Sequence, residues 1–263
     1  MILRRLGNKK KLAKKIQLYF PPHKIYIEPF FGAGGMFFNK PKAKYNIVND
    51  LDSDVFNLFQ VVMDRKEELE KAFYLMPIHS DLLKYWKDNK EVDPIKKALR
   101  FLFLSNLTFL GKHDTLKFGA SGGYQHIKQN FKKELKNTIK YIFDVQFMNF
   151  DFKEVFSKIN LDNRGAKKET NQTFIYSDPP YLQTANNYET GQKWQEKDVI
   201  SLLDCLEKTG CKFAYSEFNN PFILDQAKQR NLNINIIGER QNLKNRRVEI
   251  LVTNYELRQK TLF

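Results

Sequence analysis

The order of motifs between residues 24 and 52 constrains the fold more than any other feature of the sequence. A short β-rich run at residues 24–27 leads into a glycine turn at residues 28–35, and a second strand candidate at residues 45–48 ends at an acidic segment. Strand, glycine turn, helix, strand and acid, in this order, are typical of the opening of a doubly wound parallel sheet. The chain is therefore predicted to be an α/β protein with a Rossmann-like sheet.

The chain is predicted to divide into three segments. Residues 56–144 have a mostly helical pattern and no strand as clear as the two before them. Strand and helix patterns alternate again from residue 145 to the end. We therefore expect one catalytic α/β domain made of residues 1–55 and 145–263, with an inserted, mainly helical module at residues 56–144.

The charge of the chain restricts its partners. The 263 residues include 44 Lys and Arg against 30 Asp and Glu, a formal net charge of +14. Such an excess favours a polyanionic partner, with nucleic acid first and an anionic membrane surface second. No apolar run reaches the roughly 20 residues that cross a bilayer, and no signal peptide follows the basic N-terminus, so we expect a cytoplasmic protein. The spacing of Cys205, Cys211 and the four histidines predicts neither a disulfide framework nor a metal site.

The glycine turn and the acid after the second strand predict a cofactor site. Gly32 and Gly34 can take positive φ angles and let backbone amides approach a ligand at the carboxyl end of a parallel strand. Phe37 stands where the dinucleotide fingerprint has its third glycine, which disfavours a pyrophosphate ligand. Asp50, at the end of the second strand, is placed to accept hydrogen bonds from the two hydroxyls of a ribose.

A second motif, from Ser177 to Tyr181, directly follows the apolar strand at residues 173–176. Pro179 and Pro180 have no amide hydrogen and a fixed φ, so this strand end becomes a rigid rim of hydrogen-bond acceptors. A planar ring with an exocyclic amine would use the whole motif. Its hydrogens would go to Asp178 and to the Pro179 carbonyl, and its ring would stack on Tyr181.

In this order, the motifs resemble the Dam-type family of S-adenosylmethionine-dependent DNA adenine-N6 methyltransferases over nearly the whole chain. The matching segments are Gly7-Asn8-Lys9, Pro29 to Gly34, Asn49-Asp50, the insertion at 56–144, Asp178 to Tyr181, and Arg247 to Tyr255. The resemblance implies a Rossmann-like methyltransferase sheet with an inserted target-recognition module. It further implies transfer of a methyl group from S-adenosylmethionine to N6 of an adenine flipped out of duplex DNA, in a prokaryotic or phage-type protein.

The resemblance also implies roles for individual residues. Asp178, Pro179 and Tyr181 would form the catalytic set, and Asp178 would also border the cofactor. The other cofactor contacts would be Gly7 and Lys9 on the methionine side, Phe30, Gly32 and Gly34 around methionine and ribose, Asp50 on the ribose, and Asp151 and Phe152 on the adenine. The segment Leu6-Gly7-Asn8 departs from the aromatic and Gly-Gly pattern common in the family.

Two basic clusters predict contacts to DNA phosphates. Residues 1–15 hold seven basic residues and no acid, and residues 109–143 hold seven lysines and two acids. Residues 109–124 combine turn formers, aromatics and basic residues, and predict a recognition loop or hairpin before a lysine-rich helix at 128–143. The predicted DNA contacts are Asn106, Lys112, His113, Lys117, Tyr124, Lys132 and Lys133, with Tyr188 covering the flipped base. Double-stranded DNA is thus the predicted partner. The sequence leaves open whether a cognate restriction endonuclease is a further, functional partner.

Other functions stay open at this point. The acceptor rim at Asp178 would hold any exocyclic amine, so methylation of cytosine N4 or of an RNA base is an alternative. In a different class, the chain could be a DNA-binding module with a vestigial cofactor pocket. Trp194 is predicted either to cover the flipped base or to lie in the core.

Overall fold

The computed structural model describes most of the chain, and the described residues fall into two compact units. The described residues are 2–3, 8–108, 115–116, 123–159, 161, 169–182, 193–241 and 246–256. The first unit, here called the helical unit, consists of residues 1–9, 32–38 and 52–145. The second, here called the sheet unit, consists of residues 10–31, 39–51 and 146–263.

The sheet unit contains a seven-stranded sheet with the strand order β3-β2-β1-β4-β5-β7-β6. Its strands are β1 Ile25–Glu28, β2 Tyr45–Asn49, β3 Gln146–Met148, β4 Thr173–Ser177, β5 Lys212–Phe218, β6 Asn233–Gln241 and β7 Arg246–Thr253. Strands β1 to β5 pair in parallel, whereas β7 runs antiparallel to both β5 and β6. The chain order reverses between β1 and β4, which is the switch point where open α/β sheets bind ligands. The predicted fold class is confirmed.

The core of the sheet unit explains why the sequences of its central strands are continuous apolar runs. Every residue of β1 and of β4 is buried, as expected for parallel strands that are covered on both faces. One core cluster joins Ile27 and Ile175 to Leu202 and Leu206. The last two belong to α8, and the helices of this unit are α1 Ala13–Gln17, α7 Phe152–Lys158, α8 Glu196–Lys208 and α9 Pro221–Gln229.

The helical unit is built on α5, which is buried along most of its length from Ala98 to Leu107. Its helices are α2 Ser53–Asp64, α3 Lys66–Leu75, α4 Ser80–Asp88, α5 Pro94–Leu107 and α6 Gly123–Ile142. The side chain of Asp93 caps α5 by accepting a hydrogen bond from the Lys96 amide, and Pro94 occupies the first turn. In the described part of the chain, we find no helix that is both long and apolar enough to cross a bilayer.

Some elements differ from the sequence predictions. The spacing of Leu12, Ile16 and Tyr19 in the sequence predicts an amphipathic helix at residues 8–19, but the structure has a 3-10 turn, Lys9–Lys11, followed by the short α1. Between β1 and β2, where a helix was expected, the described residues form only the 3-10 turn Phe37–Asn39. The glycines before this segment and Pro41 after it leave room for about one helical turn.

The region after α5 also differs from its prediction. Helix α6 begins at Gly123, inside the segment predicted as a loop or hairpin, and Thr108 pairs with Leu116 in an isolated antiparallel bridge. Residues 109–114 and 117–122 lie outside the described residues. The assignment of target recognition to residues 56–144 stays a prediction.

Candidate functional site

Three predicted site residues of the sheet unit lie at the same edge of its central strands. Glu28 of β1 pairs with Val48 of β2, and Ile27 pairs with Ile175 of β4, so these parallel strands end at matching levels. Phe30, Asp50 and Asp178 follow directly after these ends. The spatial grouping that the motif order predicts within this unit is therefore present in the structure.

Asn49, the last residue of β2, ties three strand ends together. This residue is only 2% exposed, and its side-chain amide donates to the carbonyls of Pro29 and Phe150, at 3.0 Å in both cases. Its side-chain oxygen accepts from the Phe150 amide at 2.9 Å. Sequence reasoning recognised the Asn49-Asp50 pair but gave Asn49 no role.

A second amide holds the backbone that carries Asp50. The Asn149 side chain donates to the carbonyls of Asp50 and Leu51 at 2.7 and 3.1 Å. Together with Asn49, this residue orders the segment that follows β2 before any ligand arrives. Such ordering lowers the entropic cost of binding.

An aromatic cluster lies beside this edge in the sheet unit. The rings of Phe30 and Phe152 have centroids 5.7 Å apart, and Trp194 contacts both, at 5.8 and 5.5 Å. Trp194 packs against the core, in agreement with the core alternative. Asp151 caps α7 by accepting from the Lys153 amide at 2.9 Å, so its side chain already serves the helix.

The Asp178 motif follows β4 as the sequence indicated. Asp178 is half-buried and Pro179 is buried. Tyr181 is 7% exposed, its hydroxyl donates to Glu249, and its ring lies edge-on to Phe218 with a centroid distance of 4.8 Å. The hydrogen bond to Glu249 and the contact with Phe218 hold this ring in place within the sheet unit.

Two further ionisable groups, one at the end of β1 and one beside this strand, are buried. Glu28 is 2% exposed and accepts a 2.7 Å hydrogen bond from the Tyr26 hydroxyl. Burial raises the pKa of Glu28 to about 8, although the bond from Tyr26 acts in the opposite direction. Burial also lowers the pKa of Lys40 to about 8, and its ammonium lies 3.9 Å from the centroid of the Tyr26 ring.

Glu28→Gln is expected to flatten the pH dependence of stability below pH 8. Because the folded pKa is raised from 4.5 to about 8, the unfolded chain releases this proton first, and stability is lost as the pH rises through that interval. Glutamine has no such proton but can still accept from Tyr26. Urea unfolding at a series of pH values measures the effect, and parallel curves for the two proteins would contradict it.

The glycine turn belongs to the helical unit and has the expected conformation. Gly32 and Gly34 have φ angles of +54° and +70°, which residues with a side chain rarely adopt. Gly35 packs so closely on the N-terminal segment that a Cβ there would lie 2.1 Å from Asn8 Oδ1 and 2.8 Å from the Lys9 amide nitrogen. Lys9 is 3% exposed, and Gly7 lies outside the described residues.

The predicted DNA contacts have different surroundings. Asn106 is buried, and its amide donates to the Ile2 carbonyl at 2.8 Å, which gives this residue an internal role. The half-buried Tyr124 donates to the Leu107 carbonyl at 3.4 Å. Lys132 and Lys133 are exposed on α6, where Lys132 lies 3.1 Å from Glu70. The remaining predicted contacts, Lys112, His113, Lys117 and Tyr188, lie outside the described residues.

Comparisons with known proteins identify the family of the chain. A model of the D12 class of N6 adenine-specific DNA methyltransferases matches residues 6–247. Modification methylase StsI of Streptococcus sanguinis is 25% identical, over 95% of this chain and 42% of its own length. Type II methyltransferase M1.LlaDCHI of Lactococcus lactis subsp. cremoris is 24% identical, over 95% and 93%. A DNA adenine methylase of Vibrio cholerae is 25% identical, over 77% and 74%.

These matches differ in how much of each relative they include. The chain spans less than half the length of the Streptococcus methylase but most of the length of the Lactococcus and Vibrio proteins. The matched family model begins before the glycine turn and ends on β7, so it includes every motif on which the sequence prediction rests except the last, Arg247 to Tyr255, of which it reaches only the first residue.

Proposed function

Because the chain belongs to the D12 class of N6 adenine-specific DNA methyltransferases, we propose that it transfers a methyl group from S-adenosylmethionine to N6 of a flipped-out adenine at a specific duplex site. The family predicted from the motifs is confirmed, and its adenine specificity disfavours the cytosine and RNA alternatives. The observation that carries the proposal is the position of Asp178 and Pro179 directly after β4, at the sheet edge that also carries Asp50.

The residues at this edge fit S-adenosylmethionine in their chemistry. Asp50 would accept hydrogen bonds from the ribose hydroxyls, and the flat apolar ring of Phe152 would pack on the adenine. Phe30, whose ring centroid lies 5.7 Å from that of Phe152, would border the methionine and ribose. When bound, this cofactor supplies a methyl group activated by a positively charged sulfur. The cofactor contacts assigned to Gly7, Lys9, Gly32, Gly34 and Asp151 stay predictions.

Asp178 and Pro179 would act on the amine of the target base. The N6 lone pair of adenine is delocalised into the ring, which makes the amine a poor nucleophile. Acceptors that hold both hydrogens favour a more tetrahedral nitrogen and stabilise the positive charge that develops on it. Asp178 would then take the released proton, while the Pro179 carbonyl keeps the amine in position. Flipping brings the base out of the duplex to reach these groups.

Asp50→Ala is expected to weaken the binding of S-adenosylmethionine at least tenfold and leave the choice of DNA sequence unchanged. Loss of charge-assisted hydrogen bonds to the ribose costs about 1.5 to 3 kcal/mol. Calorimetric titration with the cofactor alone measures the change. Asp225→Ala, which removes an exposed acid of α9, is the matched control in the same unit. Unchanged affinity in Asp50→Ala would place the ribose acid elsewhere, with Asp52 as the next candidate.

The product of the reaction tests the proposal directly. The purified protein is incubated with unmethylated bacterial DNA and labelled S-adenosylmethionine, and the DNA is digested to nucleosides. N6-methyladenine is the expected product, whereas N4-methylcytosine, or label in RNA alone, would contradict the proposal. Sequencing of modified bases in DNA from expressing cells then gives the recognised site.

The exposed lysines of α6 support a proposed phosphate contact. Lys132, Lys133 and Lys136 are exposed along this helix, and the side chain of Lys132 stays 78% exposed although it pairs with the half-buried Glu70. Lys128 differs, because its ammonium donates to the Tyr74 and Met76 carbonyls after α3 and so has a structural role. We expect α6 to contribute affinity for DNA without reading its sequence.

Replacement of Lys132, Lys133 and Lys136 by Ala is expected to weaken binding to all duplexes about equally. The slope of log affinity against log salt should fall by about 0.9 for each lysine–phosphate pair that the substitutions remove. Lys112, His113 or Lys117 variants should instead lose about 1 to 3 kcal/mol of discrimination per base contact. Titration of cognate and one-mismatch duplexes at several salt concentrations separates the two effects. Lys208→Ala and Lys228→Ala, on other helices, are the controls for charge alone.

The names of two relatives support a biological role. One is called a modification methylase and the other a type II methyltransferase. The corresponding proposal for this chain is that its methylation protects DNA from a restriction endonuclease of the same specificity. DNA from expressing cells should then resist one such endonuclease, and full sensitivity to every enzyme that cuts at the methylated site would contradict the role.

A further inference from the structure

The segment after the two prolines is attached to the antiparallel side of the sheet by two buried acids. The Tyr181 hydroxyl donates to Glu249 of β7, and the Leu182 amide donates to Glu217 of β5 at 3.2 Å. Both glutamates have an exposed fraction of 0%. Neither acid was identified as functional from the sequence.

One rung of the β5–β7 ladder holds Tyr181 at two places. Glu249 lies directly opposite Phe218 in the register of these strands. Glu249 accepts from the Tyr181 hydroxyl, and the Phe218 ring meets the Tyr181 ring at an interplanar angle of 86°. The hydroxyl bond and the edge-to-face contact together restrict both the position and the rotation of the tyrosine ring.

An irregularity of β6 falls at the same rung. Ile236 pairs with Ile250 but Gly238 pairs with Glu249, so Ile237 is an extra residue between them. Gly238 has a φ of +154°, within the range that favours glycine. Bulges of this kind redirect side chains and are frequent beside active sites. The backbone of β6 is thus irregular opposite Glu249 of β7.

Stability alone does not require an acid at this position. Ile250, Leu251 and Val252 continue the strand as buried aliphatic residues, and an aliphatic side chain at 249 would avoid the cost of burying a carboxylate. The carboxylate does supply an acceptor for the Tyr181 hydroxyl. That bond fixes the far end of a segment whose two prolines have a restricted φ, so the direction of Asp178 and of the Pro179 carbonyl depends on it.

We propose that Glu249 is a positioning residue for methyl transfer, which fixes Tyr181 and, through the rigid Pro179-Pro180 link, the acceptor rim at Asp178. The inference rests on the proposed function, since it assigns Glu249 to the same reaction. A displacement of about 1 Å at a reacting centre can cost about 100-fold in rate. Glu249 is therefore expected to affect the rate constant kcat far more than the binding of cofactor.

The test is a double-mutant cycle between Tyr181 and Glu249. Tyr181→Phe keeps the ring and removes the hydroxyl, Glu249→Leu removes the acceptor, and Glu249→Gln retains an amide oxygen that can accept. The matched control is Tyr176→Phe, which removes another buried hydroxyl, 2.9 Å from Ser216 Oγ, from the strand before the motif. The measurements are kcat and KM on unmethylated DNA, cofactor affinity by calorimetry, and thermal unfolding.

Tyr181→Phe and Glu249→Leu are each expected to lower kcat about 10- to 100-fold, with cofactor affinity within about twofold of the wild type. The double variant should be no slower than the slower single variant, because both substitutions break the same bond. Glu249→Gln should recover at least half of the loss on a logarithmic scale. Tyr176→Phe should keep kcat within about twofold of the wild type.

Several results would overturn the inference while leaving the proposed function intact. One is a wild-type enzyme that methylates adenine together with a Tyr181→Phe variant of normal kcat. Another is a double variant whose loss is the product of the single losses. If Glu249→Leu does not fold, the comparison of Tyr181→Phe with Tyr176→Phe still tests the inference, because equal kcat values in these two variants would reject it. A wild-type protein that makes no N6-methyladenine would instead reject the proposed function.

Discussion

Asp178→Ala is expected to reduce methyl transfer to DNA at least 100-fold, with cofactor affinity and fold close to those of the wild type. Removal of one preorganised group that stabilises transition-state charge typically costs about 100- to 1,000-fold in rate. Asp178 follows β4 and is half-buried, so its loss leaves the buried strand itself unchanged. Single-turnover measurement with labelled S-adenosylmethionine isolates the chemical step from product release.

Two further variants separate the possible causes of such a loss. Asp178→Asn keeps an oxygen that can accept one hydrogen of the amine but cannot take up a proton, so its rate should lie between those of the wild type and the alanine variant. Asp225→Ala serves again as the control for an acid in the sheet unit and should be fully active. A near-normal rate in Asp178→Ala would remove this residue from the reaction.

The sequence predicts elements of the sheet unit well where a hydrophobic pattern ends at a clear local signal. The strand predicted at residues 173–176 ends before two prolines, and the sequence pattern predicts a helix at residues 152–158. The observed elements, β4 and α7, match these bounds within one residue, and Asp151 caps α7 in the structure. The sequence pattern predicts the last two strands at residues 233–237 and 248–254, whereas β6 continues to Gln241 and β7 begins at Arg246. Pairing between β6 and β7 includes polar residues such as Glu239 and Arg247 that show no strand pattern alone. Pairing partners across a sheet are a tertiary property that local periodicity does not contain.

The candidate site also contains some residues that the sequence predicts and others that only the structure identifies. Asp50 and Asp178 are predictable because each is an acid directly after an apolar strand, where parallel sheets place ligands. Asn49 and Glu249 needed the structure, since their partners Phe150 and Tyr181 are distant in sequence. A signal for Glu249 was nevertheless present, because a lone acid interrupts the apolar run from Val248 to Val252. A buried position for such an acid indicates a specific partner.

Charge on the surface of α6 was harder to interpret from the sequence. Five lysines against the single acid Glu134 in residues 128–143 predict a strongly positive helix face. In the structure, Lys128 binds carbonyl groups and Lys132 lies beside Glu70, a residue of α3. The partners of long side chains depend on how the helices pack. A count of charged residues therefore predicts the sign of the net charge, but not which lysines contact other residues and which contact only solvent.

Arg100→Met is expected to destabilise the helical unit by about 3 to 5 kcal/mol, because it removes a buried counter-charge from a buried carboxylate. Arg100 and Asp54 are each 5% exposed, and their side chains lie 3.3 Å apart. Arg100 Nε also donates to the carbonyls of Trp86 and Asn89, at 2.8 and 2.9 Å. The guanidinium thus links α5 to the start of α2 and to the end of α4.

The second tryptophan makes this loss measurable in the helical unit alone. The chain has two tryptophans, so Trp194→Phe leaves Trp86 of α4 as the single tryptophan fluorophore, and its unfolding by urea reports on this unit. Arg65→Met is the matched control, since the pair of Arg65 with Glu68 is exposed and should change stability little.

A double variant distinguishes the mechanism of the loss. Asp54→Leu combined with Arg100→Met removes both charges and should be more stable than Arg100→Met alone, because the uncompensated carboxylate is then absent. Lys97, 3.4 Å from Asp54, compensates only part of that charge in the single variant. If the single and double variants were equally unstable, the missing bonds to the Trp86 and Asn89 carbonyls, rather than the buried charge of Asp54, would account for the effect.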